Sequence, residues 1–149
     1  MSDQEVKEKA GLINLELHYE SKPCNIYYNR KLDCVHTVWK GDFAGGQEFH
    51  TILNEIVNLL EKKQVGLIVA DARKMKLIST ADQKWIVEDW YPRALKAGFY
   101  CQALIVTENT FNEITVKQIA DTYDANRVRT KYFKSYEEAE EWVIENYVE

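Results

Sequence analysis

Proline and glycine are both scarce in this chain, at two and six residues of 149. That excludes collagen-like repeats, proline-rich spacers and flexible low-complexity segments. Cysteine is also rare. Cys24, Cys34 and Cys101 make an odd set with no CxxC pair, so neither a disulfide framework nor a zinc ribbon is encoded. No apolar run approaches the roughly 20 residues that span a bilayer, so no membrane span is expected. There is no basic excess. Nineteen Lys and Arg stand against 24 Asp and Glu, for a net charge of −5. That argues against a nucleic-acid footprint and against docking on an anionic membrane surface.

Signatures of chemistry are missing too. The chain has no G-x-S-x-G, no Walker A sequence and no G-x-G-x-x-G. "GDFAGG" carries glycines but reads as a loop leading into a helix. His18, His36 and His50 are scattered, without HxxxH or HExxH spacing. The reading is of a protein that is not an enzyme and needs no cofactor and no metal.

What is present is ordinary globular material, 46% hydrophobic and 29% charged. A chain of this length buries roughly 68–70% of its unfolded surface, enough for a core without staples. The start, "MSDQEVKEKAG", is charged and lacks the apolar stretch of a signal peptide. It reads as a flexible leader over residues 1–12, followed by one domain over residues 13–149 in a cytoplasmic protein.

The pattern then alternates between short β-type runs and longer helical ones. "CNIYYNRKLDCVHTVWKG" is rich in β-branched and aromatic residues and predicts a hairpin. It would place Cys34 near Asn29 and Cys24 near Trp39, too far apart for a disulfide. "LINLELHYE" offers an optional earlier edge strand, with Leu15, Leu17 and Tyr19 alternating. "GGQEFHTILNEIVNLLEKKQ" is the clearest helix, with Phe49, Ile52, Leu53, Ile56, Val57 and Leu60 on one face. "VGLIVAD" suits a strand buried on both sides. A helix should start at Ser79 or Thr80, where Thr80-x-x-Gln83 fits a capping box. It should break near Tyr91, because Pro92 lacks an N–H, and a second piece should end at Gly98. "YCQALIVT" is the next strand, "ITVKQIADTYDAN" a short helix and "VRTKYF" the last strand. "SYEEAEEWVIENY" closes the chain as a helix capped by Ser135. The order β-β-α-β-α-β-α-β-α implies an α/β sheet with right-handed crossovers and helices packed on it.

Several stretches carry a family resemblance: "VWKGDF", "LIVADARKMKLIS", "QKWIVEDWYPRALKAG" and "YFKSYEEAEEW". Over roughly residues 18 to 147 the chain resembles the SpoIIAA-like branch of the STAS fold, which is grouped with SEC14-type domains. The resemblance implies a mixed four- to five-stranded sheet with an N-terminal β-hairpin. It also implies a non-enzymatic regulatory module that binds a protein partner. Sporulation-type members are phosphorylated on a Ser in an Asp-Ser-Ser/Thr-Gly motif. Here Ser79-Thr80-Ala81-Asp82 occupies that place, and the modified position falls on Ala81.

Ser79 and Thr80 can therefore be read as phosphorylation sites or as helix caps, and the cap is the preferred reading because hydroxyls at helix starts so often serve it. Asp71 ends a buried strand, where ligands bind in open α/β sheets. With Arg73, Ser79 and Thr80 it would line a polar mouth, although a simple Asp71–Arg73 pair serving the turn is preferred. Trp85, Trp90 and Tyr91 are candidates for a ligand or partner surface, with at least one Trp in the core. Expected partners are a protein, a second copy in a homodimer formed through the hairpin edge and exposed aromatics, or a small apolar ligand. That ligand would lie under the 80–98 helical segment, with the Pro92 break as its hinge.

Overall fold

The computed structural model describes residues 13–107 and 110–148, with side chains at 13–107 and 115–148. The expected leader, residues 1–12, lies outside the described residues. The sheet has six strands rather than four or five: β1 (Leu15–Glu20), β2 (Cys24–Asn29), β3 (Cys34–Trp39), β4 (Leu67–Asp71), β5 (Cys101–Ile105) and β6 (Arg129–Phe133). The helices are α1 (Gln47–Lys63), α2 (Thr80–Trp85), α3 (Tyr91–Lys96), α4 (Thr110–Asp121) and α5 (Tyr136–Tyr147).

The extra strand is the optional edge segment, which pairs antiparallel with β2. Its alternation fails in the middle. The register slips between Leu17 and Tyr19, so Leu17 is exposed while Tyr19 packs on the core. The β2–β3 hairpin has the register its sequence indicates, with Cys24 opposite Trp39 and Asn29 opposite Cys34. Strands β3 to β6 are parallel, and all six strands lie side by side in chain order.

That order decides where everything else goes. A parallel neighbour needs a crossover, and crossovers of one hand in strict strand order all fall on one face. Side chains of α1, α4 and the helical segment over residues 80–96 accordingly meet the same row of sheet residues: Thr37, Ile68, Ala70, Gln102 and Leu104. Among the described residues, α5, which follows the last strand, is the only helix that covers the other face. There Ala139, Trp142 and Val143 pack on Cys34, Leu67, Val69, Cys101, Ala103 and Ile105. Strand β4 is thus apolar on both sides, as its unbroken hydrophobic run requires. The buried stripe of α1 is the one its 3.6-residue period marks, extended by Leu59.

The helical segment before β5 departs from expectation. The chain does not break at Pro92. Instead, residues Ile86–Trp90 form a π turn, and the Tyr91 N–H bonds the Ile86 carbonyl five residues back. Pro92 then sits in the first turn of α3, where its missing N–H costs least. The widened turn absorbs the proline and keeps the segment helical to Lys96. Gly98, at φ 107°, ends it, and the Phe99 N–H reaches the Ala94 carbonyl.

All three thiols are buried, and no disulfide forms. Burial pushes Cys24 up to about 12 and raises Cys34 and Cys101 as well. They serve as small hydrophobes. On the α5 face, His36 is 6% exposed, stacks on Tyr136 and meets the Asn29 amide through Nδ1. Loss of solvent pulls its pKa down to about 4, against weaker opposing pulls from Asp71 and Glu140.

The unfolded chain therefore takes up this proton near pH 6.5, whereas the folded chain holds out to about pH 4. Stability from a neutral His36 is complete above pH 6.5 and is lost as pH falls towards 4, by about 3 kcal/mol at most. Urea unfolding of the wild type and His36→Leu should show the gap between them closing over that window. Parallel curves would contradict the assignment.

Candidate functional site

A cavity of about 100 Å³ lies between the sheet and its three-helix layer. Its floor is the row Thr37, Ile68, Ala70, Gln102 and Leu104. Phe49, Leu53 and Ile56 of α1, Ile86 and Trp90 of the π turn, and Val116, Ile119 and Ala120 of α4 close it above and at the sides. The floor and roof are apolar because each comes from the buried face of its own element. The void remains because the widened turn and three separate helices do not interdigitate fully over it.

Two residues keep the roof in place. The Trp90 indole N–H donates to the Leu53 carbonyl at 2.7 Å, tying the π turn to the middle of α1. Tyr123 also lines the cavity; it stacks face to face on Tyr91, with centroids 4.3 Å apart, and meets Phe99 edge-on. Burial raises the Tyr123 phenol further above its usual range, so it stays neutral.

The cavity extends towards the carboxyl ends of β3 and β4. A smaller void beside it shares Trp39, Phe49, Met75 and Ile78 and reaches Asp42, Lys76 and Leu77 at the surface. Phe43 and Leu77, on the loops after those two strands, are 64% and 55% exposed. Large exposed apolar side chains on loops beside a cavity make this the candidate site.

The residues singled out from sequence divide. Trp90 lines the cavity. Asp71 and Arg73 form the simple pair, with Arg73 Nε and Nη2 donating to the two carboxylate oxygens at 2.9 and 2.7 Å. They do not line the cavity. Ser79 is the helix cap, its oxygen accepting from the Asp82 N–H at 3.1 Å. The expected Thr80-x-x-Gln83 box is therefore displaced by one residue. Gln83 instead donates to the Ile78 carbonyl, and Thr80 is exposed in the first turn. Trp85 is half-buried and stacks on His50 at 3.8 Å. Tyr91 is half-buried against Tyr123. Trp85 and Tyr91 thus each give one ring face to internal packing, while Trp90 faces the cavity.

Sequence reasoning missed Asp82. Its carboxylate is 4% exposed and accepts from the Gly46 N–H and from His50 Nε2, at 3.2 and 3.1 Å. The start of α1 has no side-chain cap of its own, and this acid from 36 residues away supplies the charge there. His50 is held between Asp82 and Trp85. Only the bare Gly45-Gly46 start of α1 hinted at a missing cap. The whole arrangement braces the loop beside the cavity mouth.

Among the described residues, no cluster of His, Cys, Asp and Glu could hold a metal ion, and no helix is long and apolar enough to cross a membrane. Asp71 is paired with Arg73 and Asp82 with His50, while Asp42 and Lys76 line the smaller void beside the mouth.

Truncations should rank the polar groups. Asp82→Ala should lose about 1–2 kcal/mol, because the exposed Gly46 N–H and the half-buried His50 ring lose their charged acceptor. Ser79→Ala should lose about 1 kcal/mol as a cap, and Thr80→Ala less than about 0.5 kcal/mol as a surface change. Chemical denaturation measures all three, and a Thr80 effect larger than the Ser79 effect would overturn the cap assignment.

Comparison with family models, with curated proteins and with solved structures returned no match.

Proposed function

We propose that this chain is a non-enzymatic binding protein for a small apolar ligand, held between the sheet and the π-turn segment. The observation that carries the reading is the cavity of about 100 Å³, walled by Ile, Leu, Val, Trp and Phe side chains. Well-packed interiors keep few voids larger than a water molecule, and each one forfeits contacts. An engineered apolar cavity of about 150 Å³ stays dry and admits benzene. A void of this size therefore suits a ligand on the order of six heavy atoms. Among the described residues no carboxylate, imidazole or thiol lines it, which favours holding over reacting.

A second reading, an interaction module of the STAS type, draws on the resemblance of the sequence and on exposed Phe43 and Leu77. The two readings meet if a partner senses at those loops whether the cavity is filled. A homodimer through the β1 edge would be one form of such a partnership.

Native mass spectrometry of protein purified gently from its own host separates these readings. The expected spectrum shows a low-mass adduct that is absent from Ala70→Leu, a change that fills the cavity from its floor. A bare protein mass, or an adduct that survives Ala70→Leu, would count against the ligand reading. The same spectrum reports a dimer and any phosphate on Ser79 or Thr80.

A further inference from the structure

The loops that follow β3 and β4 form a surface that the cavity does not explain. Parallel strands release their loops at the same end of a sheet, and these two end level, with Val38 opposite Asp71. The loops lie against each other. A Cβ on Gly41, whose φ is 97°, would stand 3.7 Å from the Lys74 carbonyl oxygen. Asp42 and Ala44 of one loop and Met75, Lys76 and Leu77 of the other enclose the smaller void. Phe43 and Leu77 project from this pair of loops, each more than half exposed. Lys40, Lys74 and Lys76 are exposed beside them and hold no ion pair among the described residues.

An apolar pair rimmed by cations fits an acidic protein or an anionic lipid surface. The residue types favour lipid. Protein interfaces are depleted in Lys and enriched in Arg, Tyr and Trp, whereas this rim is three Lys around Phe and Leu. The void between the loops, about 10 Å³, is too small to take a peptide side chain.

The net charge of −5 points away from such a surface, but it averages over the whole chain. Screening confines the attraction to about 8 Å in physiological salt, so the charges at the contact decide. Among the described acids, Asp71 is paired with Arg73 and Asp82 with His50. Glu48 stands in the first turn of α1, where the helix dipole offsets it. Asp42 opposes the lysines, but its side chain is short, and their long stems carry charge outward to the level of the apolar tips.

We propose that this end of the sheet docks on an anionic lipid surface, with Phe43 and Leu77 inserted at the headgroup boundary and Lys40, Lys74 and Lys76 set against the headgroups. Two side chains amount to less than one acyl anchor, so the contact is weak and reversible. The proposal is independent of the cavity reading, because it requires no ligand.

Vesicle sedimentation tests it, with vesicles of phosphatidylcholine alone and with phosphatidylserine added in equal part. The protein should prefer the anionic vesicles by roughly thirtyfold, the worth of three lysines less Asp42 at about fivefold per charge. Raised salt should erase the preference. The double variant Lys74→Gln, Lys76→Gln should remove it at low salt. Phe43→Ser should weaken binding to both vesicles by about tenfold, as one apolar side chain is lost from the contact. These positions are exposed, so denaturation midpoints should stay unchanged. Binding to neither vesicle, equal binding to both, or a preference that survives the lysine variant would overturn the proposal. Poly-glutamate bound where anionic vesicles are not would overturn it in favour of an acidic protein.

Discussion

The bond from the Trp90 indole to the Leu53 carbonyl does more than satisfy a donor. It sets the height of the π-turn segment above the sheet, because α1 is itself seated on the sheet by Phe49, Ile52 and Ile56. Pro92 imposes the wider turn by removing one N–H from the helical ladder. Trp90 is then carried inward with Ile86, and the two become the roof over Ile68 and Leu104. A regular α-helix through this stretch would rotate those side chains to other positions. π turns are often found where a helix serves a site, and here one roofs the cavity.

The two faces of the sheet divide the work. Strict strand order sends three crossovers to one side and leaves the other to α5 alone. The α5 side is closed tightly. Trp142 is packed against Phe133 and Tyr147, and His36 is shut away from water beside Tyr136. The crossover side is assembled from segments that meet at angles, and its packing is incomplete. The larger buried cluster lies on the crossover side, and the same side holds the void.

Much of the fold was legible in the sequence because it depended on local pattern. The hairpin register followed from the position of its turn, so Cys24 met Trp39 and Asn29 met Cys34. The stripe on α1 and the cap at Ser135 were likewise encoded within a few residues. The sixth strand was harder, because a bulge at His18 spoils the alternation that would announce it. The site was less legible. A void does lie beside Ile86 and Trp90, within the segment under which the family resemblance put a pocket, but its lining could not be read from the sequence. Thr37 and Gln102 look like ordinary strand residues until the helices are placed over them. Asp82 reads as a first-turn acid of its own helix, and its service to Gly46 and His50 depends on a contact 36 residues distant. Trp85 and Tyr91 carry the composition of a surface but spend their rings on His50 and Tyr123.

The central claim is that the protein folds around a stable, apolar and accessible void. Crystals pressurised with xenon test it directly, since xenon enters dry cavities and needs no particular chemistry. The account predicts one strong xenon site between Trp90 and the Ile68–Leu104 floor, with no ordered water beside it. Side chains collapsed into that space, or water molecules bridging Thr37 and Gln102 with no xenon bound, would contradict it.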